Sequence, residues 1–213
     1  MTAALTSLDA EVIVVQEHWR PDGERGAVDD AADTLGLTVC TEQIGRTRDR
    51  GMLPHLARNG EGTESVAVLT RLPLRRLGSI PLGPTPGDPA PARTALAVEI
   101  DVGGAPLRLI TVHLTSRLPL GPVLQLRQLA RGVHTFTDGT PSVIAGDCNF
   151  WGPGVRAAMR GWRRAVFGRT WPAHRPHSQI DHVLVSAGIE VLRAEVLPDV
   201  GSDHRPVRVE LSW

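Results

Sequence analysis

The chain has 213 residues, with 23 basic and 23 acidic side chains and a formal net charge of zero. That length holds one large domain or two small ones, and the zero balance excludes a global field that would steer the chain to nucleic acid or to an anionic membrane. All 23 cations are Arg and there is neither Lys nor Tyr, which excludes a Schiff-base lysine and a tyrosine nucleophile.

Met1 to Ala10 reads as the tail of a helix, with Ala3, Ala4, Leu5 and Leu8 apolar at helical spacing. Val12-Ile13-Val14-Val15 is a continuous apolar run that suits a strand covered on both faces, and it leads into Gln16-Glu17-His18-Trp19. A carboxylate at the end of a buried strand needs a cation or hydrogen bonds, and a hard ion such as Mg²⁺ binds through one or two such groups. Glu17 is thus either a metal ligand or an exposed strand-end acid, and this stretch does not choose. Residues 27–35 predict a helix closed by Gly36 as its C-cap. Leu37 to Thr41 predicts a second strand, Arg46 to Glu64 is polar and irregular, and Ser65 to Thr70 is a third strand leading into Arg71-Leu72-Pro73. Cys40 and Cys148 are far apart and imply neither a disulfide framework nor a zinc knuckle. Pro81 to Pro91 is a Pro/Gly loop without a composition shift across it, so residues 1–213 read as a single domain.

Thr94 to Asp101 and Leu107 to Leu114 predict a hairpin turning at Gly103-Gly104. On its second strand Thr111 and His113 share one face and Val112 and Leu114 the other. His113 is either a structural histidine or a donor to an anionic oxygen. Pro122 to Phe136 predicts a helix with one apolar face. Ser142 to Trp151 is a buried strand meeting Gly146, after which Asp147 and Asn149 project to one side, with Cys148 turned away as a small buried hydrophobe. An acid and an amide two residues apart can orient a water and hold a phosphoryl oxygen together.

Phe150 to Ile180 contains six arginines, three tryptophans and no acid. Such a mixture grips phosphates and stacks rings, or is a solvated basic helix with core tryptophans. On the next strand Asp181 faces inward with Val183 and Val185, and His182 outward with Leu184. Ile189 to Leu197 is one more strand. The loop Gly201-Ser202-Asp203-His204-Arg205-Pro206 then puts a carboxylate beside an imidazole at the entry to a last strand, Val207 to Leu211. Alone, that pair is either a capped turn with a solvated imidazole or a catalytic pair on a loop held by rigid strands.

Five pieces therefore stand in order: Val15-Gln16-Glu17, Thr111-Val112-His113-Leu114, Gly146-Asp147-Cys148-Asn149, Ile180-Asp181-His182-Val183 and Ser202-Asp203-His204-Arg205-Pro206. Together, and at strand ends, they resemble the endonuclease/exonuclease/phosphatase superfamily of metal-dependent phosphoesterases. Val68-Leu69-Thr70-Arg71-Leu72-Pro73 resembles a further family segment. The resemblance implies an α/β (α+β) fold, a four-layer sandwich of two mostly antiparallel sheets flanked by helices. It implies Mg²⁺, or Mn²⁺ in its place, with Glu17 and Asp203 as the metal-site carboxylates. It implies that His113 contacts the scissile phosphate, that Asp147 activates water, that Asn149 holds a phosphate oxygen, and that Asp181 orients His204 toward the phosphorus. The implied substrate is a phosphate ester in a nucleic acid, a nucleotide or a lipid headgroup.

Family members open with a strand whose Asn helps to build the metal site, whereas this sequence starts within the helix that follows. The expectation is an N-terminally truncated domain lacking its first strand, with an open edge or gap in one sheet. Any secretion signal upstream would be lost with it. As written the sequence shows no signal peptide and no run near the ~20 residues of a membrane span, and the expectation is a cytoplasmic location; a monomer is expected separately. The alternative function is a non-catalytic binding domain that keeps the fold. A calcineurin-type metallophosphoesterase would need Asp-x-His and Gly-Asn-His motifs, and a serine hydrolase a Gly-x-Ser-x-Gly elbow; the sequence has none of these.

Overall fold

Three apolar cores organise the chain, each filling one interface in a stack of helix, sheet, sheet and helix. The computed structural model describes residues 1–48, 61–85, 87–88 and 93–213. The elements begin with α1 (Thr2–Ser7), β1 (Val12–Pro21), α2 (Ala27–Leu35), β2 (Thr38–Arg48), β3 (Glu61–Thr70) and β4 (Leu74–Pro81). They continue with β5 (Thr94–Val102), β6 (Ala105–His113), α3 (Leu120–Gly132), α4 (His134–Thr137), β7 (Ser142–Asp147) and α5 (Gly152–Ala158). The chain closes with β8 (Arg163–Arg164), β9 (Asp181–Val185), β10 (Glu190–Val196) and β11 (Val207–Ser212).

The large sheet has the order β4-β5-β6-β7-β9-β8, antiparallel except for the parallel pair β6 and β7. A smaller sheet, β1-β3-β2, is antiparallel throughout, and β10 with β11 forms a separate ribbon. Period two assigns the side chains to layers. On β3, Val66 and Val68 meet the large sheet, while Ala67 and Leu69 meet α1 and α2. On β6, Leu107 and Leu109 enter the core between the sheets, while Ile110 and Val112 pack with Leu126 and Leu129 of α3. The hairpin turns where expected: Gly103 (φ 65°) and Gly104 (φ 93°) supply two consecutive left-handed residues.

Several expectations are revised. β1 runs on through Gln16 to Pro21 past a bulge between Val15 and His18, so the apolar tetrad is only its first part. The stretch 46–64 is strand at both described ends, Arg46 to Arg48 and Glu61 to Glu64; residues 49–60 lie outside the described residues, as do 86 and 89–91 of the Pro/Gly loop. The single helix expected over 122–136 is α3 followed by the short α4. Gly132 closes α3 against β4, where an added Cβ would lie 2.3 Å from Ile80 Cγ2. β4 and β8 were not anticipated, and of the basic helix that was one reading of residues 150–180 only the short α5 is present. His182, expected to face outward, is buried on the helix side of the large sheet, with Nε2 2.9 Å from the Phe150 carbonyl.

β1 pairs only with β3, and β11 only with β10, among the described residues. Their other edges line a trough of about 890 Å³ whose floor includes Leu107, Leu109, Val143, Ala145 and Val183 of the large sheet. The trough runs on to Glu17, His113, Asp147 and His204.

Beneath the β1 bulge, Asp29 of α2 accepts from Arg20 Nε at 2.7 Å and Nη2 at 2.6 Å, and from the Gly26 amide at 2.9 Å. His18 Nε2 lies 3.3 Å from the same carboxylate. Hydrogen bonds from Arg20 hold the Asp29 carboxyl far below its ordinary range, against the opposing effect of burial. The folded-state pKa is below the unfolded one, so this stabilisation is present above about pH 4 and lost as pH falls toward the folded value. Asp29→Asn is expected to cost about 2 kcal/mol at pH 7. The difference from wild type should shrink as urea unfolding is repeated at progressively lower pH.

Candidate active site

The site begins as a row of the large sheet. His113 is the register partner of Asp147 across β6 and β7, and Asp147 that of Asp181 across β7 and β9. All three are buried and stand on the face shared with Leu109, Ala145 and Val183. Gly146 lets β6 and β7 close: a Cβ there would lie 2.0 Å from the Val112 carbonyl oxygen. After Asp147 the chain turns through Asn149 at φ 46°. The Asn149 amide donates to Asp147 Oδ1 at 2.6 Å, and its Nδ2 donates to Asp147 Oδ2 at 3.1 Å and to Leu114 O at 2.9 Å. Asn149 therefore clamps Asp147 from two sides.

The smaller sheet supplies the facing groups. Glu17 sits in the β1 bulge with φ 54°, a conformation uncommon for a residue with a side chain. Glu64 stands on β3 opposite Trp19. Glu17, Glu64 and His113 each offer a ligand atom within 4.8 Å of one another, and so do Asp147, Asp181 and His204. His113 joins the two groups: Nδ1 is 3.4 Å from Glu64 Oε1, and Nε2 is 3.7 Å from Asp147 Oδ2. Both ring nitrogens of His113 face carboxylates, and Glu17 and Glu64 are the oxygen ligands that group offers. Carboxylate oxygens suit a hard divalent cation such as Mg²⁺.

His204 Nδ1 lies 2.9 Å and 3.1 Å from the two Asp181 oxygens. Burial would lower the His204 pKa, but the hydrogen bond and charge of Asp181, with Asp147 and Asp203 behind it, raise it to about 9. Asp147 moves the other way for a carboxylate: burial raises it to about 6, helped by the Asp181 charge and opposed by His113 and His204. One group is thus poised to take a proton near neutrality and the other to keep one.

Six of the residues singled out in the sequence, Glu17, His113, Asp147, Asn149, Asp181 and His204, lie in this connected set. Asp203 stands apart from both ligand groups, with its side chain 79% exposed and Oδ2 3.9 Å from His204 Nε2. Glu64 was missed. Its signal was available, because it is in phase with the core residues Val66 and Val68, and an acid on that face of a strand is out of place without a partner. Cys148 is buried, and burial pushes its thiol pKa well up.

Residues 1–204 match the endonuclease/exonuclease/phosphatase family. The chain belongs to this family. A family protein from Beutenbergia cavernae DSM 12333 is 23% identical with TM-score 0.73, over 99% of this chain and 64% of that one. The present chain thus spans about two thirds of that relative's length. A family protein from Leptotrichia buccalis C-1013-b is 14% identical with TM-score 0.76, over 100% of this chain and 92% of that one. A mannosyl-6-phosphatase from Bacteroides thetaiotaomicron VPI-5482 is 19% identical with TM-score 0.71, over 100% and 89% of the two chains. At these identities the likeness is one of fold. No curated protein sequence matches the chain.

The Asp181–His204 pair makes a measurable prediction. In the metal-free protein the His204 imidazole should stay protonated through neutrality and titrate near pH 9 by NMR. In Asp181→Asn the chief raising influence is gone while burial remains, so His204 should titrate well below that value.

Proposed function

We propose that the protein is a divalent-metal-dependent hydrolase of phosphate esters, with residues 1–213 as one catalytic domain. The observation that carries this reading is the convergence of two carboxylate–imidazole groups, bridged by His113 and Asp147 at 3.7 Å. Four carboxylates so close together favour a bound cation, and family membership points to the same chemistry. Glu17 and Glu64 would hold Mg²⁺ or Mn²⁺, with Asp203 near enough to His204 to act on the site's outer side. When bound, such an ion supplies Lewis-acid stabilisation of charge on the phosphoryl oxygens.

The chain's own residues divide the remaining work. Asp147, held by Asn149, takes a proton from the attacking water. The water oxygen forms its bond to phosphorus as the ester oxygen leaves in line. His113 donates to a non-bridging phosphoryl oxygen. His204, kept cationic by Asp181, faces the charge that develops on phosphorus and can return a proton to the departing oxygen.

Hydrolysis of bis-p-nitrophenyl phosphate tests the reading. Turnover should require Mg²⁺ or Mn²⁺ and vanish with EDTA. Asp147→Ala should lower kcat about 10²- to 10⁴-fold, and Glu17→Gln should raise the Mg²⁺ concentration needed for half-maximal rate. Absence of metal-dependent turnover in the wild-type chain would instead favour a non-catalytic binding domain.

A further inference from the structure

Six of the nine large apolar side chains exposed among the described residues lie on segments that leave or enter one end of the large sheet; the other three are Met1, Leu192 and Trp213. Leu118, Leu120 and Leu124 lie on the segment that leaves β6 just beyond His113 and opens α3, with Leu120 69% exposed. Trp151, 52% exposed, follows Asn149 and caps α5. Phe167, 70% exposed, lies on the segment between β8 and β9. Its ring carries the Arg164 guanidinium at 4.5 Å, and Arg164 also packs on Gly152, where an added Cβ would lie 2.2 Å from Nη1. Trp171, edge-on to His177, belongs to a turn tied to the His204 loop: Arg205 donates to Thr170 O at 2.8 Å and Ala173 to Asp203 O at 2.7 Å. Every one of these segments leaves or enters the edge of the large sheet that carries His113, Asp147 and Asp181.

Exposed apolar groups gathered around a site mark a surface that meets another phase or partner. Their chemistry selects among the occupants. Leucine side chains offer a nucleobase neither a ring to stack on nor a hydrogen bond, and a chain of zero net charge gains little overall from displacing counterions on a polyanion. Leu, Trp and Phe interleaved with Arg are the side chains that settle at a bilayer interface, apolar part inward and polar tip among the headgroups. Residues 150–180 carry six Arg and no acid; Arg163 and Arg164 are bonded to Ile189 O and Gln179, and the other four can meet lipid phosphates directly.

We propose that this rim docks the active-site end of the molecule on a phospholipid bilayer by inserting Leu118, Leu120, Leu124 and Trp151. Resting on the phosphoesterase reading, the same geometry makes the substrate a lipid headgroup phosphate ester. Docking is driven by apolar insertion and is peripheral. No helix among the described residues is long and apolar enough to cross a membrane.

Co-sedimentation of the full chain with phosphatidylcholine vesicles, alone and mixed with phosphatidylglycerol, tests the proposal. The chain should partition onto both, with little loss as salt is raised. Leu120→Asp and Trp151→Asp should each weaken partitioning about tenfold or more. Both changes are at exposed positions, so thermal unfolding and hydrolysis of soluble bis-p-nitrophenyl phosphate should be unaltered. Failure to partition, or partitioning indifferent to both substitutions, overturns the proposal. So does steeply salt-dependent binding of single-stranded oligothymidylate that Trp151→Ala abolishes, which would make the rim a nucleic-acid surface. Vesicle binding as expected without metal-dependent turnover would refute the hydrolase reading and leave the docking surface standing.

Discussion

A buried acid must be answered by something, and in this molecule the requirement falls on one row of one sheet. His113, Asp147 and Asp181 stand side by side where β6, β7 and β9 end, on a face otherwise filled with Val, Leu and Ala. An isolated carboxylate there would be neutralised or would unfold the region. The surrounding structure can be read as a set of answers. Asn149 clamps Asp147, His204 pairs with Asp181, and the smaller sheet brings Glu17 and Glu64 across to His113. The β1 bulge and the Gly146 contact are the backbone adjustments that let these groups meet.

The parts of the site legible in the sequence were those in which local pattern and position coincide. Period two put Asp181 on an inward face and His113 on the face of Thr111, and Gly146 announced the turn that carries Asp147 and Asn149. Bulges hid much of the rest. In β1 the bulge between Val15 and His18 shifts the alternation, so Gln16 to Trp19 did not read as strand. In β4 the irregularity between Arg76 and Gly78 does the same, and the whole strand went unseen. The second half of β2 begins on a sheet edge with the polar pair Glu42 and Gln43, and Glu42 is held there by an ion pair to Arg76 of β4, a partner far away in sequence. The stacking of the sheets, and hence the approach of Glu64 to His113, depends on contacts between residues far apart in sequence; the family resemblance supplied the layered fold, and hydrophobic periodicity alone would not have.

The zero net charge conceals a division of labour. Acidic groups converge inside the pocket, while arginines collect without acids along residues 150–180 beside it. The two populations meet at the His204 loop, whose backbone is bonded to the Thr170–Ala173 segment. A single loop therefore joins the wall of the pocket to the Thr170–Ala173 segment by backbone hydrogen bonds.

The open edges of β1 and β11 carry a different consequence. Unsatisfied strand backbone invites pairing with any extended chain, and among the described residues two such edges border one apolar trough. Arg208 spans part of its mouth, reaching from β11 to Asp9 at 3.6 Å and to the Leu8 carbonyl at 3.3 Å. Arg208 thus places a charge at the mouth of the trough, where an added strand would have to enter.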